Sequence, residues 1–372
     1  MSGSIDAKWL DEVTEKLKAK LPYSVKKARE VSFIPYTTKN GAWQPNDICW
    51  WTNGFWPATM WQMFLMTKDE LYREEAIRAE SMLDEALKDF KRLSHDVGFM
   101  WLIQSGVRYA LEKNRESFDR IMLAADLLAA RFNPCGFLRA WNGEHNVGKA
   151  IVDCMMNLPL LYWASEKTGD PRFKKLAMIH ADTTIKNFVR KDGSCNHIVD
   201  FDPESGIVRD IPAGQGCASG SSWSRGQSWA LYGFTLSYLH TGRKEYLATS
   251  KKVADYFISQ VKGEWVPRCD FRQPEGAELW DDAAGAIAAC GLIELSRQLG
   301  KEEGAPYFAA ATQILKALVA RDADFGTSDP AILQKCCSAW SAQGQMTMNY
   351  ADYFLIEAVN KLRGEKLLFW KP

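Results

Sequence analysis

The hydrophobic positions of the chain fall into pairs of helical segments. In each pair an apolar stretch is followed by a short polar turn and then by an amphipathic stretch. In the amphipathic stretches, as from Phe118 to Phe132, apolar residues recur three or four positions apart, which predicts a helix with one buried face. The first stretches, such as 157–164 and 283–295, are apolar on all sides and predict fully buried helices. An aromatic residue opens each second helix: Tyr72, Phe118, Phe173, Tyr246 and Tyr307.

This alternation of buried and half-buried helices predicts an inner ring of helices inside an outer ring. A sixth inner helix is predicted at 350–362, with a helix from Ile5 to Lys20 as its outer partner. The chain is therefore predicted to be all-α, a single (α/α)6 barrel of six helical hairpins over residues 1–372.

The connections between hairpins are long and read as structureless, whereas the turns within hairpins are short. Long connections in a compact fold are usually functional, and here all of them would emerge at one end of the barrel. The long connections are 33–55, 91–98, 133–153, 190–226, 263–282 and 322–348.

Charge and composition narrow the possible partners. The chain has 46 basic and 46 acidic residues, and this balance argues against a nucleic-acid or membrane partner bound by bulk charge. No apolar run approaches the ~18 residues that span a bilayer. The N-terminus lacks the apolar core of a signal peptide, so we expect a cytoplasmic protein, or one whose signal has been removed. The nine cysteines and five histidines show no metal-binding spacing, and we expect neither a metal ion nor another cofactor.

The aromatic content points to carbohydrate. The chain has 15 tryptophans, and several lie in the polar, glycine-rich connections, where packing in a core is a poor explanation. Aromatic faces pack on sugar rings while neighbouring polar groups bind hydroxyls.

Two aspartates stand in equivalent positions of the repeat. Asp96 and Asp153 each precede an inner helix, so they are expected at the same end of the barrel. Each one alone could be a helix N-cap. As a pair they fit glycosidic bond cleavage, in which one carboxyl group is kept protonated by burial. Asp281 and Asp282 precede another inner helix and are interpreted as caps.

The connection 190–226 is the richest in candidate binding groups. Gln215 and Arg225 can bind hydroxyls or a carboxylate, although Arg225 could instead tie the loop through a salt bridge. His197 could form hydrogen bonds within the loop or handle a proton.

Four motifs together resemble the unsaturated glucuronyl hydrolases of glycoside hydrolase family 88, over about residues 45–360. They are 51–57 (WTNGFWP), 95–99 (HDVGF), 152–157 (VDCMMN) and 222–229 (SWSRGQSW). The resemblance implies an (α/α)6 barrel. It also implies removal of the 4,5-unsaturated uronic acid from the non-reducing end of oligosaccharides made by polysaccharide lyases, without a cofactor.

By the same resemblance, Asp153 is the general acid and base of a vinyl-ether hydration, and Asp96 is the second carboxylate. His197, Gln215 and Arg225 fall on substrate-binding positions. The positions expected to stack on the sugar are Trp51, Trp141 and Trp229.

One departure concerns sulfated substrates. Relatives that accept them resemble a pattern with a basic residue before the glutamine and an S-x-x-S-x-K segment. Here Gly214 precedes Gln215, and the segment 338–343 ends in Gln343, which puts a preference for sulfated substrates in doubt. The alternatives are an unsaturated rhamnogalacturonyl hydrolase, an inverting glycosidase acting on saturated sugars, and a sugar-binding barrel without catalysis.

Overall fold

The computed structural model describes residues 6–372, in which six inner helices are surrounded by six outer ones. The inner helices are buried almost throughout, as their apolar sequences predict. They contact one another in sequence order, and the last contacts the first, which closes the ring. The inner helices are α2 (Phe55–Thr67), α5 (Val97–Trp101) continued by α6 (Val107–Glu112), α8 (Leu158–Thr168), α10 (Ser224–Thr241), the first part of α12 (Asp282–Arg321) and α13 (Asn349–Leu362).

The outer helices each bury one face against this ring. The prediction of an all-α (α/α)6 barrel is confirmed. The first outer helix runs from Ala7 to Arg29, longer than predicted, and the predicted start at Ile5 lies outside the described residues. The outer helices are α1 (Ala7–Arg29), α3 (Glu70–Met82) with the short α4 (Asp84–Lys88), α7 (Arg115–Ala129), α9 (Pro171–Asn187), α11 (Lys244–Val261) and the second part of α12. None of the helices within residues 6–372 has the length and apolarity to cross a bilayer.

Short turns join the two helices of each hairpin. Asp69, Asn114 and Asp170 accept hydrogen bonds from backbone N–H groups at the starts of α3, α7 and α9, which satisfies donors that have no partner inside the helix. In the fifth hairpin the turn is reduced to a break inside α12. There Gly300 has φ 79° and ψ −177°, a conformation that a side chain would strain.

The long connections are not structureless, because three small antiparallel sheets order them. One of these sheets joins the connections 133–153 and 190–226, which carry candidate site residues. In it β5 pairs with β6, and β6 pairs with β7. Ala150 of β5 lies opposite Val199 of β6, which fixes how the two connections meet. The strands are β1 (Thr37–Lys39) with β2 (Ala42–Gln44), β3 (Phe132–Asn133) with β4 (Phe137–Leu138), and β5 (Lys149–Ile151), β6 (Ile198–Phe201) and β7 (Val208–Asp210).

Candidate active site

A cavity of about 570 Å³ opens where the inner helices begin. Residues from five of the six long connections line it, together with the first turns of α10 and α13. Its walls are aromatic and its inner surface carries ionisable groups, the combination expected of a saccharide site. The aromatic lining residues are Tyr36, Trp50, Trp51, Trp141, Trp223 and Tyr350, and the ionisable ones are Arg92, His95, Asp96, Asp153 and Arg225.

Strand pairing places Asp153 in this cavity beside His197. Beyond the end of the β5–β6 ladder, the N–H of Val152 donates to the carbonyl of His197 at 3.0 Å. A 3-10 turn from Val152 to Met156 then directs the carboxyl group of Asp153 into the cavity. Its Oδ1 lies 3.6 Å from Nε2 of His197 and has no hydrogen-bond partner among the described residues.

Asp96 lies in the same cavity and is held on several sides. Its Oδ2 accepts a hydrogen bond from Oγ of Ser94 at 3.1 Å. Its Oδ1 lies 3.1 Å from Nε2 of His95 and 3.5 Å from Nδ2 of Asn157. Unlike the unpartnered oxygen of Asp153, both oxygens of Asp96 therefore have polar neighbours.

Neither aspartate caps a helix with its side chain. Asp96 occupies the N-cap position of α5 but makes no side-chain capping bond. The N-cap position of α8 belongs to Asn157, four residues after Asp153. The interpretation of these two residues as caps is therefore wrong, and what they share is the cavity.

The surroundings of Asp153 favour its protonated form. Burial raises its pKa to about 8, and the negative charge of Asp96 adds to the rise, while the positive charge of Arg225 opposes it. A carboxyl group with this pKa carries a proton at neutral pH and can act as a general acid.

His197 is neutral and has a fixed tautomer. Burial, together with the charge of Arg225, lowers its pKa to about 3. Its Nδ1 accepts the backbone N–H of Gln215 at 2.9 Å, so the proton of the neutral ring is on Nε2, the atom that faces Asp153.

Arg225 and Gln215 meet on the wall formed by the last long connection. Nη2 of Arg225 donates to the carbonyl of Ser338 at 3.0 Å, and Nε2 of Gln215 donates to the same carbonyl. Both side chains line the cavity. Arg225 also forms the salt bridge that the sequence left open, with Asp281 at 2.5 Å.

The three predicted stacking tryptophans do not share one environment. Trp51 and Trp141 line the cavity. Trp229 is fully buried and packs beneath Trp51, with ring centroids 6.5 Å apart, and against Phe99 at 5.2 Å. The prediction that Trp229 stacks on the sugar is therefore wrong. It lies one helical turn beyond Arg225 in α10, which carries it below the cavity floor.

Sequence reasoning missed four of the six aromatic residues of the lining, Tyr36, Trp50, Trp223 and Tyr350, and the last two lie beside residues already described. The ring of Trp223 lies 4.3 Å from that of His197 and 4.6 Å from the guanidinium of Arg225. Tyr350, in the first turn of α13, packs on Trp51 at 4.9 Å. A signal was present for both, because each stands where a long connection enters an inner helix.

Within residues 6–372, no three His, Cys, Asp or Glu side chains come together in a way that could hold a metal ion. The ionisable and polar groups that line the cavity include an acid, hydrogen-bond donors and a fixed cation.

Comparison with known proteins decides the family. The model of Glycosyl Hydrolase Family 88 matches residues 22–263. An unsaturated glucuronyl hydrolase from Bacillus sp. strain GL1 is 34% identical, over 87% of this chain and 89% of that protein. The chain belongs to glycosyl hydrolase family 88. The resemblance found in the four motifs is thus confirmed, and a family 88 chain is a glycosidase.

Two further comparisons extend this result. An unsaturated chondroitin disaccharide hydrolase from Streptococcus pyogenes is 30% identical, over 90% of this chain and 86% of that one. The crystal structure of the Bacillus sp. GL1 unsaturated glucuronyl hydrolase superimposes with a TM-score of 0.90 at 31% identity, covering 95% of this chain and 98% of the other. The family 88 barrel is thus retained along nearly the whole chain.

Proposed function

We propose that this family 88 enzyme removes the 4,5-unsaturated uronic acid from the non-reducing end of oligosaccharides produced by polysaccharide lyases. The observation that carries the proposal is the carboxyl group of Asp153, buried in an aromatic cavity with a free oxygen and a raised pKa. The names of the similar proteins, which act on unsaturated glucuronyl and chondroitin saccharides, support this substrate class.

The chemistry suits a single proton donor. The C4=C5 bond of the unsaturated sugar is an enol ether, so its C4 is basic. Asp153 gives its proton to C4, and the positive charge that develops at C5 is shared with the ring oxygen. The Asp153 carboxylate then takes a proton from a water molecule as the water oxygen bonds to C5. This restores the acid form of Asp153.

Bond cleavage follows without another catalyst. The hemiketal formed at C5 opens by breaking its bond to the ring oxygen, which leaves a ketone at C5 and a hemiacetal at C1. The hemiacetal expels the shortened saccharide as an alcohol and becomes an aldehyde. One water molecule is consumed for each glycosidic bond broken.

The remaining residues bind and orient the sugar. Arg225 and Gln215 lie on one wall, where they can bind the carboxylate or ring hydroxyls. Trp51 and Trp141 offer ring faces to the sugar. Asp96 accepts hydrogen bonds from hydroxyls and, by its charge, helps Asp153 to keep its proton.

The proposal is tested by mixing the protein with a lyase-made unsaturated disaccharide in D2O. We expect the ultraviolet absorbance of the conjugated double bond to disappear and one deuterium to be found at C4 of the product. Release of sugar with the absorbance retained would mean ordinary hydrolysis, and no reaction on any unsaturated saccharide would mean a binding protein. Either result would overturn the proposal.

The matched variants are Asp153→Asn and Asp200→Asn. Removing the acid at 153 is expected to lower kcat by about 10³-fold while the disaccharide still binds. Asp200 lies in β6 outside the cavity lining, so its variant should turn over like the wild type. Running sulfated and unsulfated disaccharides side by side tests the expectation, drawn from Gly214 and Gln343, that sulfate is not preferred.

A further inference from the structure

The side chain of Arg225 is held by residues from two other long connections as well as by its own. Its Nη1 donates to Oδ2 of Asp281 at 2.5 Å and to the carbonyl of Cys337 at 2.8 Å. Its Nη2 donates to the carbonyl of Ser338, and its plane stacks on Trp223 at 4.6 Å. The guanidinium therefore has a fixed position at the cavity wall, although only 2% of its side chain is exposed.

Asp281 faces Arg225 from behind and does not reach the cavity. Its side chain is fully buried, and it is not part of the cavity lining. It occupies the N-cap position of α12 without a capping bond of normal geometry, although the N–H groups of Ala283 and Ala284 favour its charged form. The interpretation of Asp281 as a cap does not explain the contact of its Oδ2 with Arg225. A buried carboxylate needs a partner of opposite charge, and Arg225 supplies it across 56 residues of sequence.

We propose that Asp281 is a positioning residue of the reaction described above: it fixes Arg225 against the cavity wall and offsets its charge, so that Asp153 keeps its proton. This inference rests on the proposed function. It adds a residue that touches neither the substrate nor Asp153.

The electrostatic part follows from three groups near one another. Burial and the charge of Asp96 raise the pKa of Asp153, whereas the charge of Arg225 lowers it. His197, the other ionisable group facing Asp153, is neutral. A cation that lost its counter-charge would act more strongly on a buried carboxyl group, because little water is present to screen it.

The other groups that face Arg225 cannot replace Asp281. Burial raises the pKa of Tyr350 and of Cys336, and the hydrogen bond that the thiol of Cys269 donates to Cys337 raises the pKa of Cys269. All three are neutral at physiological pH. Burial acts to lower the pKa of Arg225, but its neighbours, with the charge of Asp281 first among them, raise it on balance, so the guanidinium stays charged and paired.

The test is the pH dependence of kcat/KM, which reports the ionisation of the free enzyme. Activity requires protonated Asp153, so kcat/KM falls as pH rises through its pKa. In Asp281→Asn we expect this fall to begin about one pH unit lower, giving about fivefold lower kcat/KM at pH 8 and a change of less than about threefold at pH 5. The matched control is Asp282→Asn, a neighbouring buried carboxyl group that accepts the N–H of Lys335 instead. The alkaline limit, meaning the pH above which kcat/KM falls, should not move in Asp282→Asn.

A second pair of variants keeps the test valid if Asp281→Asn folds poorly. In Arg225→Gln the cation that lowers the pKa of Asp153 is absent, so the alkaline limit should move to higher pH while KM rises, and adding Asp281→Asn should not move the limit again. A further shift of the limit in the double variant would overturn the proposal, as would an unmoved limit in a folded Asp281→Asn protein.

Failure of the proposed function gives a different result. If no unsaturated saccharide is turned over, the carboxyl band of Asp153 can still be titrated by infrared spectroscopy. A lower titration point in Asp281→Asn would then support the coupling without the reaction, and an unchanged one would remove it.

Discussion

The two ends of the barrel each hold a cavity with two buried acids and a cation. At one end the acids are paired directly with the cation, whereas at the other end the cation is paired with a third carboxylate. At the end away from the active site, a cavity of about 200 Å³ is lined by Glu294, Glu357 and Lys361. Nζ of Lys361 lies 2.6 Å from Glu294 and 3.3 Å from Glu357. These carboxylates are paired with a cation in direct contact.

Hydrogen bonds complete the pairing at that end. Glu357 also accepts from the hydroxyl of Tyr232 and from Nε1 of Trp370 at 3.0 Å, and Glu294 accepts from Arg297 at 2.7 Å. Although burial acts to raise it, the pKa of Glu294 is lowered on balance, mainly by the charge of Lys361. An acid whose pKa is lowered, as that of Glu294 is, has no proton to give at neutral pH.

At the active-site end the cation is paired elsewhere. Arg225 is neutralised by Asp281, and Oδ1 of Asp153 has no hydrogen-bond partner within residues 6–372. The difference teaches that burial and charge alone do not mark a catalytic carboxyl group. What distinguishes Asp153 is that the nearby cation, Arg225, is paired with a different carboxylate, Asp281.

The largest expected effect concerns the paired end. Lys361→Met leaves Glu294 and Glu357 buried without their cation, and we expect the free energy of unfolding to fall by about 3–5 kcal/mol. The kcat of the folded fraction should not change. Chemical denaturation measures the loss, with the exposed Lys301→Met as control. A loss no greater than in that control would mean that the two ends do not differ as described.

At the active-site end, removing an acid should stabilise the protein. Asp153 stays protonated in the folded chain up to about pH 8 but ionises near its ordinary pKa of 3.8 once unfolded, so its cost to stability grows between those pH values. Asp153→Asn should therefore raise the free energy of unfolding by several kcal/mol at pH 8 and leave it almost unchanged near pH 4. Equal stability of the two proteins at pH 8 would contradict the raised pKa.

Asp96→Asn tests the second carboxylate. Without its negative charge Asp153 ionises more readily, so the alkaline limit of kcat/KM should move to lower pH, and kcat/KM at pH 8 should fall by about a hundredfold. Steady-state kinetics over pH 5–9 checks this. A uniform loss at every pH would assign Asp96 to sugar binding alone.

The smallest effect is expected at His197. His197→Asn removes the Nε2 proton that faces Asp153, and kcat should fall by about tenfold. Because this ring is neutral down to about pH 3, the pH profile should keep its shape. The exposed His145→Asn serves as control, and an acid limit that disappears with His197 would show that the ring is charged in the active enzyme.

The barrel is predictable from the sequence because each helix carries its own burial pattern. The spacing of apolar residues from Phe118 to Leu128 indicates a half-buried helix without knowledge of any other segment, although Phe132 lies beyond its end, in β3. Asp96 and Asp153 could be placed together for the same reason, since they stand at equivalent points of a repeat. The motifs added the candidate binding groups of the 190–226 connection.

The remaining features depend on distant parts of the chain meeting. His197 lies beside Asp153 through the register of β5 and β6, and Arg225 meets Asp281 across two connections. Neither contact can be predicted from the spacing of nearby residues in the sequence. The prediction for Trp229 was wrong because a motif indicates which segment forms the site but not how deep each of its residues lies along the helix.

The most direct test of the account is the protonation state of Asp153 itself. Infrared difference spectra between the wild type and Asp153→Asn, recorded from pH 5 to 9, isolate the C=O stretch of this one carboxylic acid. We expect the band of the protonated acid to be present at pH 6 and 7 and to disappear around pH 8. A carboxylate spectrum already at pH 6 would mean that Asp153 has no proton to deliver, and the account would be wrong.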